Sequence, residues 1–361
     1  MATESLKIAL IYELREAYKA LGYSNADCDR FEVGEAAEHI AAALKNLGHE
    51  VVLVPDIHSL VKRLAHGEGS TWDLAFNTTE GLHGLAREGQ VPALLEAYQI
   101  PFTFSDAATM TLCLDKGRTK MVLEHFNVPT APFAVIHFDH TAEKTQVSLD
   151  EILSMIRMSR HSETLLSQYP LFVKPLAEGS SKGIGATNKI KSIESLCDVV
   201  NSLRDSSPSS LGVLVEKYLP GREFTVGILG TGEDAWVVGV DEIYGAAKSR
   251  RILTPTDDWA GEADEIKIGW DDQEADLACQ TALRAWTVLR CRDGGRIDIR
   301  MDHSGSPVAH VMEIQINPLA GLLPHWSQLP MIAEHNNVSY NELIEYILKS
   351  ALQRRRGRVL N

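Results

Sequence analysis

No apolar run in the 361-residue chain comes near the span of a bilayer, which takes ~18–20 residues. A secretory leader is missing too. Met1-Ala-Thr-Glu-Ser-Leu-Lys7 carries an acid and runs straight into the strand-like Ile8–Tyr12, without a basic flank, a long apolar core or a small-residue cleavage site. No membrane partner and cytoplasmic residence are the expectations that follow. Positive charge is scarce: 35 Lys and Arg face 49 Asp and Glu, for a formal net charge of −14. That excludes the broad basic surface of a nucleic-acid binder. The one basic cluster, Arg354-Arg-Arg-Gly-Arg358, ends a helix-like stretch, where cations complement the dipole. Cys28, Cys113, Cys197, Cys279 and Cys291 are scattered and odd in number, with no C-x-x-C pair, so reduced and mostly buried thiols are expected. His137 and His140 have no third metal ligand beside them. Repeats and low-complexity tracts are absent.

What is present has an ordinary globular composition, 44% hydrophobic and 23% charged, and is long enough for two or three domains. The N-terminal third alternates strand patterns (6–12, 50–54, 72–76 and 101–104) with helical ones (32–47 and 88–99), which predicts parallel pairing and an open α/β unit over residues 1–105. A second unit, 106–210, carries helical patterns at 115–126, 149–159 and 193–203 and strands at 133–137 and 171–175. The third, 211–361, is richer in strands (212–218, 223–229, 235–241, 295–301 and 307–316), with helices at 272–289 and 340–353. Residues 244–268 are polar and irregular, the mark of a functional flap or a disordered segment.

Three segments carry chemistry. Glu178-Gly-Ser180-Ser181-Lys-Gly-Ile-Gly185 follows a strand bearing Lys174; glycines turn amides toward an anion, and hydroxyls and lysine add donors. P-loop spacing is absent, and a plain Gly/Ser hairpin is the alternative. Lys174, within Leu-Phe-Val-Lys-Pro, needs a partner on so apolar a strand, and phosphate suits it. Second, alternation in Arg296-Ile-Asp298-Ile-Arg300-Met-Asp302 puts the arginines and aspartates on one face. After a turn, Glu313, Gln315 and Asn317 share a face of the returning strand. Oxygen ligands beside arginines suit a hard cation shared with phosphates; the alternative is a solvated face of an edge hairpin. Third, in Val213–Val226, Glu216 and Glu223 flank a tight turn and could accept hydrogen bonds from a base and a ribose, or simply belong to a charged hairpin.

Together these segments resemble the ATP-grasp enzymes and, within them, the D-alanine–D-alanine ligase family. The resemblance runs from about Asp73 to Ile347. It is carried by Phe76-Asn-Thr-Thr-Glu80-Gly-Leu-His-Gly, Glu88-Gly-Gln-Val-Pro, Leu114-Asp-Lys116-Gly-Arg-Thr-Lys120, Val173-Lys174-Pro, Glu178-Gly-Ser-Ser-Lys-Gly, Glu223-Phe-Thr-Val, Arg296-Ile-Asp298 and Asn317-Pro-Leu-Ala-Gly321. It implies an α/β, three-domain ATP-grasp fold and an ATP-dependent carboxylate–amine ligase working through an acyl phosphate. Lys116, Lys174 and Lys248 are then phosphate ligands, with Ser180 and Ser181 on the closing loop. Glu216, Lys217 and Leu219 line the adenine pocket, and Glu223 holds the ribose. Magnesium, or manganese, falls to Asp298, Asn317 and Glu313 or Gln315; the family's usual glutamate is replaced by Gln315 here. Arg296, Ser181 and the Gly321 backbone are the catalytic candidates, the arginine and glycine stabilising an oxyanion. A homodimer through the N-terminal region is also implied.

The substrate pocket departs from the family. Tyr12-Glu-Leu-Arg-Glu-Ala-Tyr18 stands where a Gly-Gly loop belongs, and Arg30 matches the position of the ammonium-binding glutamate. Arg30, Arg250 and Arg251, with Glu80, are the substrate candidates and point to an acceptor more anionic than D-alanine. Two other readings stay open: a ligase of specialised metabolism that attaches an amino acid to a small non-peptide acid, and a nucleotide-binding regulator without catalysis.

Overall fold

The structure, a computed structural model, describes residues 5–24, 28, 34–139, 146–177, 185–206, 211–245, 263–268, 271–302 and 308–359; residues 186, 244–245, 263–267, 311–315 and 355–359 are described by their backbone alone. The chain opens with β1 (Lys7–Ile11), α1 (Arg15–Ala20), α2 (Glu35–Asn46), β2 (Glu50–Val54), α3 (Ile57–Ala65), β3 (Leu74–Asn77) and α4 (Gln90–Ala97). The sheet order is β2-β1-β3 and both pairings are parallel, as the alternation of strand and helix requires. The expected strand at 101–104 shrinks to a single parallel bridge from Phe102 to Ala75. Helix α2 forms because Ala36, Ala37, Ile40, Ala41, Ala43 and Leu44 share one buried stripe, and α3 starts at Asp56, whose carboxylate accepts from the Ser59 amide at 2.8 Å.

Next come α5 (Ala107–Leu114), α6 (Lys116–His125), β4 (Phe133–His137), α7 (Leu149–Met158), α8 (Ser162–Ser167), β5 (Leu171–Pro175), β6 (Lys189–Ile190), α9 (Ile193–Ser206) and β7 (Gly212–Lys217). Their sheet has the order β4-β7-β5-β6 and is antiparallel in every pairing. The remainder is β8 (Glu223–Leu229), β9 (Trp236–Gly245), β10 (Ala263–Lys267), α10 (Gln273–Val288), β11 (Gly294–Met301), β12 (Ala309–Asn317), α11 (Gln328–His335) and α12 (Tyr340–Val359). It forms the antiparallel sheet β10-β9-β8-β11-β12. Among the described residues no helix is long and apolar enough to cross a membrane.

Two readings are corrected by the pairing. β7 and β8 lie in different sheets, so 213–226 is not a hairpin; the intervening Tyr218–Arg222 is a crossover between sheets. β11 is interior, between β8 and β12, and its polar face is buried, which removes the solvated edge hairpin. Within 244–268, Ala263–Lys267 forms edge strand β10.

The cores cross the sequence divisions. One face of the first sheet, with Ile8, Leu10 and Phe76, packs on α2 and, from the far end of the chain, on Ile332 of α11 and Ile344, Ile347 and Leu348 of α12. Asp293, at the turn into β11, is fully buried and pins the same junction. It accepts from the Phe104 amide (2.7 Å), Ser350 Oγ (2.7 Å), Thr231 Oγ1 (3.1 Å) and the Arg354 guanidinium. Removing one side of a buried ion pair strands the other. Asp293→Ala should therefore cost about 3–5 kcal/mol, read as a lower urea midpoint than wild type.

Candidate active site

Strand β5 carries Lys174 into the interior, and β7, paired beside it, carries Glu216. The Lys174 ammonium lies 2.6 Å from Glu216 Oε1, and the Lys120 ammonium, from α6, lies 3.0 Å from Oε2. Lys120 is 0% and Lys174 1% exposed. Burial alone would raise the Glu216 pKa, but the two cations outweigh it and hold the carboxyl down at about 2. Each carboxylate oxygen thus meets a lysine, and the three side chains form an ion triad. Lys116 stands one helical turn before Lys120. Its amide donates to the Leu176 carbonyl at 3.1 Å, so it begins α6 beside the chain leaving β5. A Cβ at Gly117 would come within 2.7 Å of Val135, so glycine lets α6 sit this close to β4.

The opposite wall is built from β8 and β11. Ile297, Ile299 and Met301 enter the core, leaving Arg296, Asp298 and Arg300 on the other face. Arg300 bonds Glu223 at 2.5 Å and Arg296 bonds Asp298 at 2.7 Å. Burial raises both acids above their ordinary values; Arg300 opposes this at Glu223, where Asp298 adds to it, and Arg296 opposes it at Asp298. Glu223 also feels the charge of Lys174, so the two walls lie near one another. The crossover between them is tightly seated: a Cβ at Gly221 would meet the Met301 carbonyl oxygen at 2.2 Å, and Arg222 pairs with Glu242, Asp272 and Glu274. On that crossover the Tyr218 ring has Lys189 Nζ 3.7 Å from its centroid, and Leu219 is buried.

Asn317 closes this wall, directly opposite Arg296. The register of β12 then shifts by three residues between the pairs Ile297–Ile316 and Ile299–Val311, so Asp298 faces an irregular stretch instead of the continuous ladder that simple alternation required. The side chains of Glu313 and Gln315 lie in that stretch, outside those described. Among the described residues no cluster of three His, Cys, Asp or Glu could hold a metal. The chemistry of Asp298 nonetheless fits a hard cation: its carboxylate is buried and its pKa stays raised even with Arg296 attached.

From Asn317 the chain runs into a cavity of about 90 Å³ lined by Leu319–Leu322, Tyr12, Glu13, Gly34, Thr78 and Glu80. It joins two of the expected residues, Glu80 and Gly321. Glu13 is the residue that motif reading passed over. It lies just beyond Tyr12 at the end of β1, and its buried carboxylate accepts from the Glu80 amide (2.8 Å), the Gly81 amide (3.1 Å) and Tyr18 Oη (2.9 Å). Burial, helped by the Glu80 charge, still pushes its pKa up to about 7. The described lining holds two carboxylates and no basic side chain; the arginines from which an anionic partner was expected are not among the described residues. Arg30, Ser180, Ser181, Lys248, Arg250 and Arg251 lie outside the described residues.

A family model described as D-ala D-ala ligase C-terminus matches residues 122–349. The chain belongs to the D-alanine–D-alanine ligase family. It is an ATP-dependent ligase that forms an amide bond. The D-alanine–D-alanine ligase of Thermotoga petrophila is 28% identical over 318 residues, 88% of this chain and 91% of that one. That of Gluconobacter oxydans is 27% identical over 334 residues, 89% and 93% of the two chains. Two crystal structures of the Bacillus anthracis D-alanine–D-alanine ligase, one of them complexed with ATP, match with a TM-score of 0.68 at 19% identity, over 98% of this chain and 100% of theirs; the fold is the ATP-grasp fold of that family.

In this ligase the folded state holds the Glu13 proton more tightly than the unfolded chain, where the value is 4.5. Its contribution to stability is whole below about pH 4.5 and is lost as pH rises through about 7. Glu13→Gln should flatten that slope, by up to ~3 kcal/mol between pH 5 and 8 in urea unfolding. A variant with the wild-type slope would remove Glu13 as its cause.

Proposed function

We propose that the protein activates the carboxylate of an amino acid, whose free ammonium end is bound beside Glu13 and Glu80, and joins it to the amine of a second small substrate, with the triad and the arginine wall gripping ATP between them. The observation that carries this reading is the shared cleft. Lys174 stands on one wall and Arg296, Asp298 and Glu223 on the other, and the Asn317–Gly321 segment leads from that cleft into the substrate cavity. Lys116 and Lys174 take phosphates, Glu223 the ribose, and Tyr218 and Leu219 with the Lys217 backbone the adenine face. Ser180, Ser181 and Lys248 remain assigned to the closing segments.

A carboxylate is a poor acyl donor because its leaving group would be oxide. One carboxylate oxygen attacks the ATP γ-phosphorus, the bond to the β-phosphate oxygen breaks, and ADP departs, leaving an acyl phosphate. Lysines spread the moving charge. The amine nitrogen of the second substrate then attacks the acyl carbon while Arg296 and the Gly321 amide hold the oxyanion; phosphate leaves and the nitrogen loses a proton. Asp298 and Asn317, with Glu313 or Gln315, would hold magnesium, which supplies charge neutralisation between the phosphates. Burial of the ion-paired Arg296–Asp298 face supports catalysis over a nucleotide-binding regulator. Residence in the cytoplasm fits the free thiols of all five cysteines, and a homodimer through the N-terminal unit is checked by sedimentation.

D-alanine, the substrate in the names of the relatives, is the first amino acid to supply. ADP and phosphate release should require substrates with a free ammonium group and should fail with their N-acetyl derivatives. Equal turnover of the N-acetyl compounds would overturn the pocket assignment. Lys174→Met should lower kcat/KM for ATP about 100-fold or more, and Asp298→Asn should raise the magnesium concentration needed for half-maximal rate about tenfold.

A further inference from the structure

Three charges meet in the triad, and their sum matters. A single lysine held 2.6 Å from a carboxylate is a neutral pair, with little field left to draw a phosphate. Drawing that lysine away would strand a buried glutamate, which is strongly unfavourable. Lys120 changes both sides of this. It is fully buried beneath α6, 3.0 Å from Glu216 Oε2 and 5.1 Å from the centre of the Phe133 ring, so it contributes charge without touching solvent. We propose that Lys120 is a positioning residue: its ammonium remains on Glu216 as a standing counter-ion, so that the Lys174 ammonium is free to leave that carboxylate for a nucleotide phosphate. This rests on the ATP site assigned above and adds to it a division of labour between two lysines.

Lys174 comes from β5 and Lys120 from α6; Glu223 on β8 feels Lys174, and His310 on β12, beside Asp302, feels Lys120. With both lysines in place Glu216 is held at about 2 and stays ionised. Without Lys120, departure of Lys174 would leave Glu216 buried and alone, and it would take up a proton instead.

The test is calorimetric titration with adenylyl imidodiphosphate and magnesium in two buffers of different ionisation heat, which counts protons bound with the nucleotide. Lys120→Met should weaken binding about 10–100-fold and add proton uptake absent from wild type. Lys120→Arg should restore both. In a Glu216→Gln background Lys120→Met should add no protons. Wild-type affinity and proton count in Lys120→Met overturn the proposal, as does weaker binding with unchanged protons in both backgrounds, which is a structural effect alone. If Lys120→Met does not fold, Glu216→Gln decides: it should bind the analogue at least as tightly as wild type, and looser binding overturns the proposal. A wild-type protein that binds no nucleotide overturns the ATP-site reading itself, and this inference with it.

Discussion

Charge can be stored inside a protein only where it is paired, and the pairing of Glu216 with Lys120 and Lys174 is the constraint around which this molecule is arranged. Each member comes from a different element. β5 and β7 must be neighbours, and α6 must lie against β4 closely enough for its lysine to reach across. The antiparallel order β4-β7-β5 and the missing side chain at Gly117 supply that geometry. Packing of apolar faces brings the elements together, but the ion triad fixes which residues meet.

The facing wall follows the same rule with its charges balanced, two arginines against two acids. Arg296 and Arg300 compensate Asp298 and Glu223, yet both acids keep raised pKa values, so this side has spare capacity for positive charge. The triad has a surplus of positive charge. The crossover Tyr218–Arg222 keeps them in register, tied down by Arg222 and by the close approach of Gly221 to Met301.

Regular strands were legible where a β-branched or aromatic run was bounded by turn signals. Phe133–His137, Leu171–Pro175 and Glu223–Leu229 have the same limits in sequence and structure. Short elements were not. α5 is apolar nearly all round and gives no periodic signal, and β10 hides in a polar stretch because an edge strand needs only one partner. The segment 213–226 read as a hairpin because two strands and a tight turn look alike whether or not the strands pair; only tertiary contacts send them to separate sheets. At the site, Lys174 was legible from its apolar setting. Lys120 was not, because Lys116-Gly-Arg-Thr-Lys120 has the composition of a solvated helix start, and only the fold buries it. Glu13 was passed over because a lone acid after a strand carries no spacing to read.

The joining of the first sheet to α11 and α12 has a consequence for biosynthesis. Ile8, Leu10 and Phe76 are translated well before residues that cover them, Ile344, Ile347 and Leu348. The long stretch between them must therefore be made while an oily face waits for its lid, in a form open to chaperones and to self-association.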